Sequence, residues 1–437
     1  MKLKRDRGER RMRILSDAPL ADLLDDDVDG LPNPRKKNRE SVSVFLGGGD
    51  IVGVPISTAR YYCPLAGWSV EEVRRRGGWR TIAIVGNSAS NPSYGKFSIA
   101  PGDDREFLVD GTIMLERESH RVAVTCLLSE RYGAHIVVNS AMSETHVGEE
   151  FARGVGREIE SKTIYRGKCL SFGGSIRALE RPAHKFEELA IPDETKRELL
   201  ANSVGFLQRN EELAAYGMGK HRGILVSGPP GTGKSLSLKC LFASAEEITC
   251  VVAQSANLVS PHFVAELFSI CRDLQPTIVA MEDLDILVRA RDEFGCRTDA
   301  LAELMNQVDG LVEGTENLVI VATVNRPEAL DEALSRPSRF DRHIEVQLPD
   351  VEQRRRFVSR ISEKIPVPQA AAERLVMTTA GLTCAGIQEC LFGILLEADL
   401  GAGWDAAFSN SSIDRAVSRI GRGRTRLGFP GATEREG

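Results

Sequence analysis

The run GPPGTGKS at 228–235 fills the pattern G-x-x-x-x-G-K-[ST] completely. Glycines in such a loop let successive backbone N–H groups turn inward around a phosphate. The helix that opens directly behind it adds the favourable end of its dipole. The spacing assigns Gly228, Pro229, Pro230, Gly231, Thr232 and Gly233 to the phosphate cradle, with Leu236 in the first turn of the helix. Lys234 is expected to reach the β- and γ-phosphates, and Ser235 to ligate Mg²⁺. A second element, TIVAMEDLD at 277–285, delivers Glu282 and Asp283 side by side from an apolar stretch. At the carboxyl end of a parallel strand, one carboxylate can hold the hydrated metal and the next can polarise an attacking water. Chain position gives Glu282 the metal side and Asp283 the base. An Asp base is shorter than Glu by one methylene, about 1.5 Å. Three readings therefore stay open: these roles, a contribution from Asp285, or a site that mainly binds and hydrolyses weakly.

The elements that must hold these groups alternate along the chain. RGILVSG, ITCVVAQS, TIVAM, NLVIVATVN and HIEVQLP read as strands, and SLSLKCLFAS, HFVAELFSICRDL and TDALAELMNQVDG as helices. Near-continuous apolar strands between helices indicate a parallel sheet covered on both faces. After Pro349 the strands stop, and four helical segments follow from VEQRRRFVSRISEK to SSIDRAVSRI. Upstream, SVSVFL, RTIAIVG, GTIMLERES, HRVAVTCLL, HIVVNS and GKCLSFGG read as short strands, and WSVEEVRRRG and THVGEEFARGVGREIESK as helices. The expected architecture is α/β: a P-loop NTPase parallel sheet with a C-terminal helical lid, preceded by an α+β N-terminal domain. The boundaries read as a charged arm over 1–40, an α+β client or assembly domain over 41–183, the P-loop domain over 184–349, a lid over 350–421 and a tail over 422–437.

The 437 residues suffice for two to three domains, and 42% apolar content excludes a collagenous or wholly disordered chain. A net charge of −6 argues against a protein devoted to coating nucleic acid. Two local basic features keep nucleic acid as a weaker alternative. Met1–Arg13 carries seven basic and two acidic residues, and Arg74–Arg76 lie between Trp68 and Trp79. The first reads chiefly as a solvated, mobile arm and the second chiefly as a solvated helix end. Nine cysteines without a CxxC pair point to reduced, mostly buried thiols and a cytoplasmic protein. No apolar run reaches the length of a transmembrane segment. LGGGD at 46–50 lacks the Lys of a phosphate loop and reads as a tight turn.

Taken together, RGILVSGPPGTGKS, the acidic strand end, VIVATVNRPEALDEALSRPSRFDRHIEVQLPD and the helical C-terminal part resemble the AAA family of ATPases over about 186–397. The usual acidic order in that family is Asp then Glu. The inverted Glu282–Asp283 pair, with TIYRGKCLSFGG upstream, resembles the group of the mitochondrial inner-membrane chaperone that translocates the folded Rieske iron–sulfur protein. The resemblance implies ATP and Mg²⁺ as ligands and a homo-oligomeric ring, hexameric or heptameric, acting on a protein client. It implies that Asn325 senses the γ-phosphate or the lytic water, and that Arg336 and Arg339 reach the next subunit's ATP, with Arg339 the stronger candidate. Asp341 and Arg342 are expected to support the local structure. By the same resemblance GLTCAGI puts Gly381 and Ala385 near the adenine and ribose, without a sensor arginine, and AIPDE puts Ile191 there too. The aromatic–hydrophobic–Gly triplet with which many members grip polypeptide is missing from QSANLVSPHFVAE. Phe263 reads either as core or as a residue nearing a central axis.

Overall fold

Alternating side chains along the strands of the N-terminal half give a sheet with one strongly apolar face, and two amphipathic helices cover it. The computed structural model describes residues 34–87, 91–129, 133–216, 221–253, 255–285, 298–308, 317–325, 340–398 and 403–426. The arm expected over 1–33 therefore lies outside the described residues. The first part comprises α1 (Pro34–Phe45), β1 (Ile51–Thr58), α2 (Cys63–Arg76), β2 (Arg80–Val85), β3 (Ser93–Ala100), β4 (Asp103–Arg117), β5 (His120–Ser129), β6 (Gly133–Ala141) and α3 (Thr145–Ser161). The strands pair antiparallel in the order β1-β6-β5-β4-β2, with β3 also on β4. Val122, Val124, Cys126 and Leu128 of β5 point to the face that α2 and α3 cover with Leu65, Val70, Phe151 and Val155.

Two expectations for this part are corrected. SVSVFL, read as a strand, belongs to helix α1 and the turn after it, and 34–40, read as arm, form the helix's first half. The Val42/Val44 alternation misleads. Val44 is 74% exposed, whereas Val42 and Leu46, four apart, are the residues buried against Met114 and Ala123 on the other sheet face. Gly47 and Gly48, both at positive φ, close the turn expected at 46–50.

The second sheet is built from β7 (Cys169–Phe172), β8 (Ile176–Leu179), β9 (His221–Ser227), β10 (Thr249–Ala253), β11 (Thr277–Met281), β12 (Leu318–Val324) and β13 (Arg342–Glu345). Its helices are α4 (Asp193–Asn202), α5 (Val204–Gln208), α6 (Asn210–Ala215), α7 (Lys234–Ala243), α8 (Pro261–Asp273) and α9 (Thr298–Val308). The order is β13-β9-β12-β11-β10-β7-β8, parallel throughout except for β8. β11 and β12 are buried along their whole length, as their unbroken apolar sequences require. The sequence grouped GKCLSFGG with the N-terminal strands. Instead Cys169–Phe172 extends the second sheet beside β10, so the boundary at 183/184 cuts off two of that sheet's strands.

The lid packs α10 (Val351–Ser362), α11 (Gln369–Thr378), α12 (Cys384–Glu397), α13 (Trp404–Ala407) and α14 (Asn410–Arg426) around Leu375, Ile387, Leu391 and Ile413. Asp350 and Gln353 form a capping box at the start of α10. α14 runs to Arg426, past the expected end at 421. Its first turns are anchored in the lid core by Ile413 and Ala416.

The two sheets share one apolar core along α8. Phe263 stacks on Phe172 with ring centroids 4.9 Å apart and is 6% exposed, which settles it as a core residue. Around this stack, Tyr61 Oη meets Ser269 Oγ at 3.1 Å, and Tyr62 Oη donates to Asp273 Oδ2 at 3.1 Å.

Candidate active site

β9 ends in a fully buried run, and the loop that leaves it must pass close under β13. At Gly228, φ is +146°, and a Cβ there would lie 2.1 Å from the Val346 carbonyl oxygen, so only glycine fits. At Gly231, φ is +81°, and a Cβ would meet Ala385 Cβ at 2.9 Å and Thr383 Oγ1 at 3.0 Å. The loop is thus wedged between β13 and the start of α12, and Ala385 N donates to Gly231 O at 3.1 Å. Thr232 Oγ1 braces it from within by donating to Pro229 O at 2.8 Å. α7 then begins with Gly233 as its N-cap and no side-chain cap, leaving its first-turn N–H groups for an anion.

Lys234 is buried, and its Nζ donates to the Gly228 and Pro229 carbonyl oxygens at 2.6 and 2.9 Å. Burial pulls its ammonium below the usual lysine range, and the negative charges of Asp283 and Asp285 work against that pull. A desolvated cation beside uncapped helix N–H groups suits a polyphosphate.

The two acids lie at the carboxyl end of β11. Ser235 Oγ donates to Glu282 Oε2 at 2.7 Å, so the side chains expected at the metal meet directly. Both are oxygen donors of the kind Mg²⁺ takes. Asp283 has φ +49°, and its Oδ1 accepts from Asn325 Nδ2 at 2.8 Å. Asp285, 1% exposed, accepts weakly from the Asn325 backbone at 3.5 Å, which puts it beneath the site. Lys234, Ser235, Glu282, Asp283 and Asn325 are therefore gathered at one end of the sheet. Thr323 escaped the sequence reading: its hydroxyl accepts the Asp283 N–H at 3.0 Å. In the sequence it looks like an ordinary β-forming residue within VIVATVN, and only its place two residues before Asn325 hinted otherwise.

Of the remaining candidates, Ala385 lies against the loop, as just described. Gly381 sits in the turn before α12 at φ +76°. Ile191 is buried with Phe186 and Leu189 in the core beneath the loop, while its neighbour Ala190 packs on the lid. Pro230 is exposed and Leu236 half-buried. Arg336 and Arg339 lie outside the described residues. Arg342 pairs with Glu198 of α4, and Asp341 Oδ2 accepts from Gly223 N at 3.4 Å; both contacts serve the local structure.

Each arginine of the basic run in α2 is paired with an acid, while Arg75 and Arg76 stay largely exposed. Arg74 pairs with Glu71, Arg75 with Glu72, and Arg76 with Glu72 and Glu158. Trp79 is buried edge-on against Phe151. Among the described residues no helix is long and apolar enough to cross a membrane, and no cluster of three His, Cys, Asp or Glu is placed to hold a metal.

Residues 224–348 match the model of the ATPase family associated with various cellular activities (AAA). The chain is 30% identical over 276 residues to the ATP-dependent zinc metalloprotease FtsH 3 of Sphaerobacter thermophilus, covering 61% of this chain and 55% of that protein. It is 33% identical over 260 residues to the mitochondrial inner membrane m-AAA protease component yta12 of Schizosaccharomyces pombe, covering 55% and 32%. It is 32% identical over 251 residues to the chloroplastic ATP-dependent zinc metalloprotease FTSH 2 of Oryza sativa, covering 54% and 36%. The chain thus spans about a third to a half of the length of these relatives. None of its seven His is followed by Glu, so the H-E-x-x-H zinc motif does not occur in this sequence. The centre of the chain is an AAA ATPase domain, and ATP with Mg²⁺ is the ligand pair of such a domain.

Proposed function

We propose that this chain uses its AAA domain to couple ATP hydrolysis, in a homo-oligomeric ring, to the remodelling or translocation of a protein client. The observation that carries the reading is the meeting of Ser235 with Glu282 and of Asp283 with Asn325 beside the glycine loop. ATP phosphates would lie at the N-terminus of α7, with Lys234 exchanging its two carbonyl partners for phosphate oxygens. Ser235 and Glu282 would hold Mg²⁺, which neutralises charge on the phosphates. Asp283, steadied by the Asn325 amide, would orient a water and take its proton. Arg336 and Arg339 are proposed as the groups a neighbouring subunit contributes.

The finer form of the proposal is a remodeller of folded clients, like the Rieske-protein translocase group. The Glu-before-Asp order supports it, as does a Phe263 buried in the core instead of offered to a pore. The reducing cytoplasm is the proposed compartment, in keeping with eight described cysteines that are all free thiols. The ion-paired arginines of α2 do not favour nucleic acid as a partner.

ATPase rates of wild type, Lys234→Ala and Asp283→Asn test the chemistry, and equal rates in all three would sink it. Imaging Asp283→Asn with ATP after affinity purification reads ring size and retained client together. A second reading, favoured by the short Asp283 side chain, is a nucleotide-gated scaffold. Its signature is ATP-dependent ring assembly with negligible wild-type turnover.

A further inference from the structure

We propose that Thr323 is a positioning residue for the proposed base: its buried hydroxyl fixes the left-handed backbone turn at Asp283 and so aims that carboxylate. This deepens the ATPase reading and rests on it. The parallel ladder between β11 and β12 ends at the pair Met281 and Ala322. Immediately beyond, the chain of β11 must turn away to deliver its acids, and the ladder can no longer hold it. Thr323 takes over. Its Oγ1 accepts the Asp283 N–H at 3.0 Å, and its backbone oxygen accepts the Leu284 N–H at 2.8 Å.

One residue therefore clamps two consecutive amides, and it is well anchored to do so. Thr323 is 1% exposed and is itself paired in register with Val226 of β9. Asn325, two residues on, holds the far end of the same side chain through Asp283 Oδ1. Backbone and carboxylate of Asp283 are thus fixed by alternate residues, Thr323 near the end of β12 and Asn325 just beyond it. The turn needs such a clamp, because φ of +49° costs an L-residue free energy, though Asp tolerates it better than most. The conformation also accounts for the shorter acid: the backbone, more than side-chain length, sets where the carboxylate lies. Buried as it is, the hydroxyl acts through Asp283 instead of touching nucleotide.

The test is Thr323→Val, which keeps shape and removes the hydroxyl, with Thr323→Ala as a second variant free of any overpacking and Thr323→Ser as the rescue. Steady-state turnover, KM for ATP and affinity for a fluorescent ATP analogue are measured on the full chain. Val and Ala are expected to lower kcat by about tenfold or more at near-constant nucleotide affinity, since small misplacements of a catalytic group are costly, and Ser is expected to recover most of the rate. Wild-type turnover in the Val or Ala protein overturns the proposal. So does a Ser variant as slow as Val, which would mark Thr323 as a packing residue only. Asp283→Asn runs in parallel: if it hydrolyses ATP like wild type, the underlying assignment of the base fails, and not merely the role of Thr323.

Discussion

Arg60 and Glu266, 206 positions apart, are joined by two parallel hydrogen bonds of 2.7 Å, Nε to Oε1 and Nη2 to Oε2. This fork ties the segment after β1 to α8, and so ties the N-terminal sheet to the ATPase sheet. Glu266 is 8% exposed, and besides the Arg60 fork only His262, with Nε2 3.4 Å from Oε1, lies in ion-pair range of its carboxylate among the described residues.

Arg60→Met is therefore expected to lower the unfolding free energy by about 2 kcal/mol, the scale of a charge-assisted bond that leaves a desolvated acceptor behind. A double-mutant cycle with Glu266→Gln measures the pair directly. Additive single effects would mean that the fork contributes nothing of its own.

Ser235 Oγ and Glu282 Oε2, at 2.7 Å, mark the place proposed for Mg²⁺. Glu282→Gln removes the charge and keeps the shape. Turnover at saturating ATP should fall by roughly a hundredfold or more, with a raised Mg²⁺ requirement. A metal titration of the rate checks both, and an unchanged midpoint would move the metal elsewhere.

Restoring the commoner acid at the base should not help. Asp283 sits at φ +49°, where Glu is less at ease, and the Asn325 amide is placed for the shorter carboxylate. Asp283→Glu is expected to lose about 1 kcal/mol of stability and to turn over no faster than wild type. Thermal unfolding and steady-state kinetics decide it, and a faster Glu variant would show that length was the limiting feature.

Lys234 gives the site a pH signature. Burial lowers its pKa in the free protein, so between that lowered value and the ordinary lysine value the unfolded chain binds more protons than the native one. Stability without nucleotide should therefore rise with pH through that alkaline window. Phosphate beside the ammonium favours its charged form, so ATP binding should take up protons there and weaken as pH rises further. Calorimetry in buffers of different ionisation enthalpy reads the uptake, which Lys234→Gln should abolish.

The parallel sheet and its loop were legible because both are written locally, in unbroken apolar strands and in eight consecutive residues at 228–235. What was hidden is non-local. A four-residue strand such as Cys169–Phe172 carries no mark of the sheet it joins, since its partner β10 lies some eighty residues downstream. Ser41–Phe45 alternates like a strand, yet tertiary packing of Val42 and Leu46 makes it helical. Thr323 was invisible for a similar reason: its backbone serves the ladder, and only the third dimension shows what its hydroxyl holds.

The misplaced boundary can itself be tested. A chain starting at residue 184 lacks β7 and β8, which leaves the apolar edge of β10 open and Phe263 without Phe172. It is expected to aggregate on expression, because an uncovered strand edge recruits others. Monodisperse, ATP-binding material from that truncation would show the two strands to be dispensable.

The core shared along α8 has a further consequence, for how the molecule melts. Tyr61, Tyr62 and Tyr165 of the N-terminal part belong to the same apolar cluster as Phe172 and Phe263 of the second sheet. Two topologies that share a core are expected to unfold as one cooperative unit. Occupancy of the glycine loop would then raise, by mass action, the midpoint of the N-terminal sheet as well. Heat would dismantle both together in a single transition.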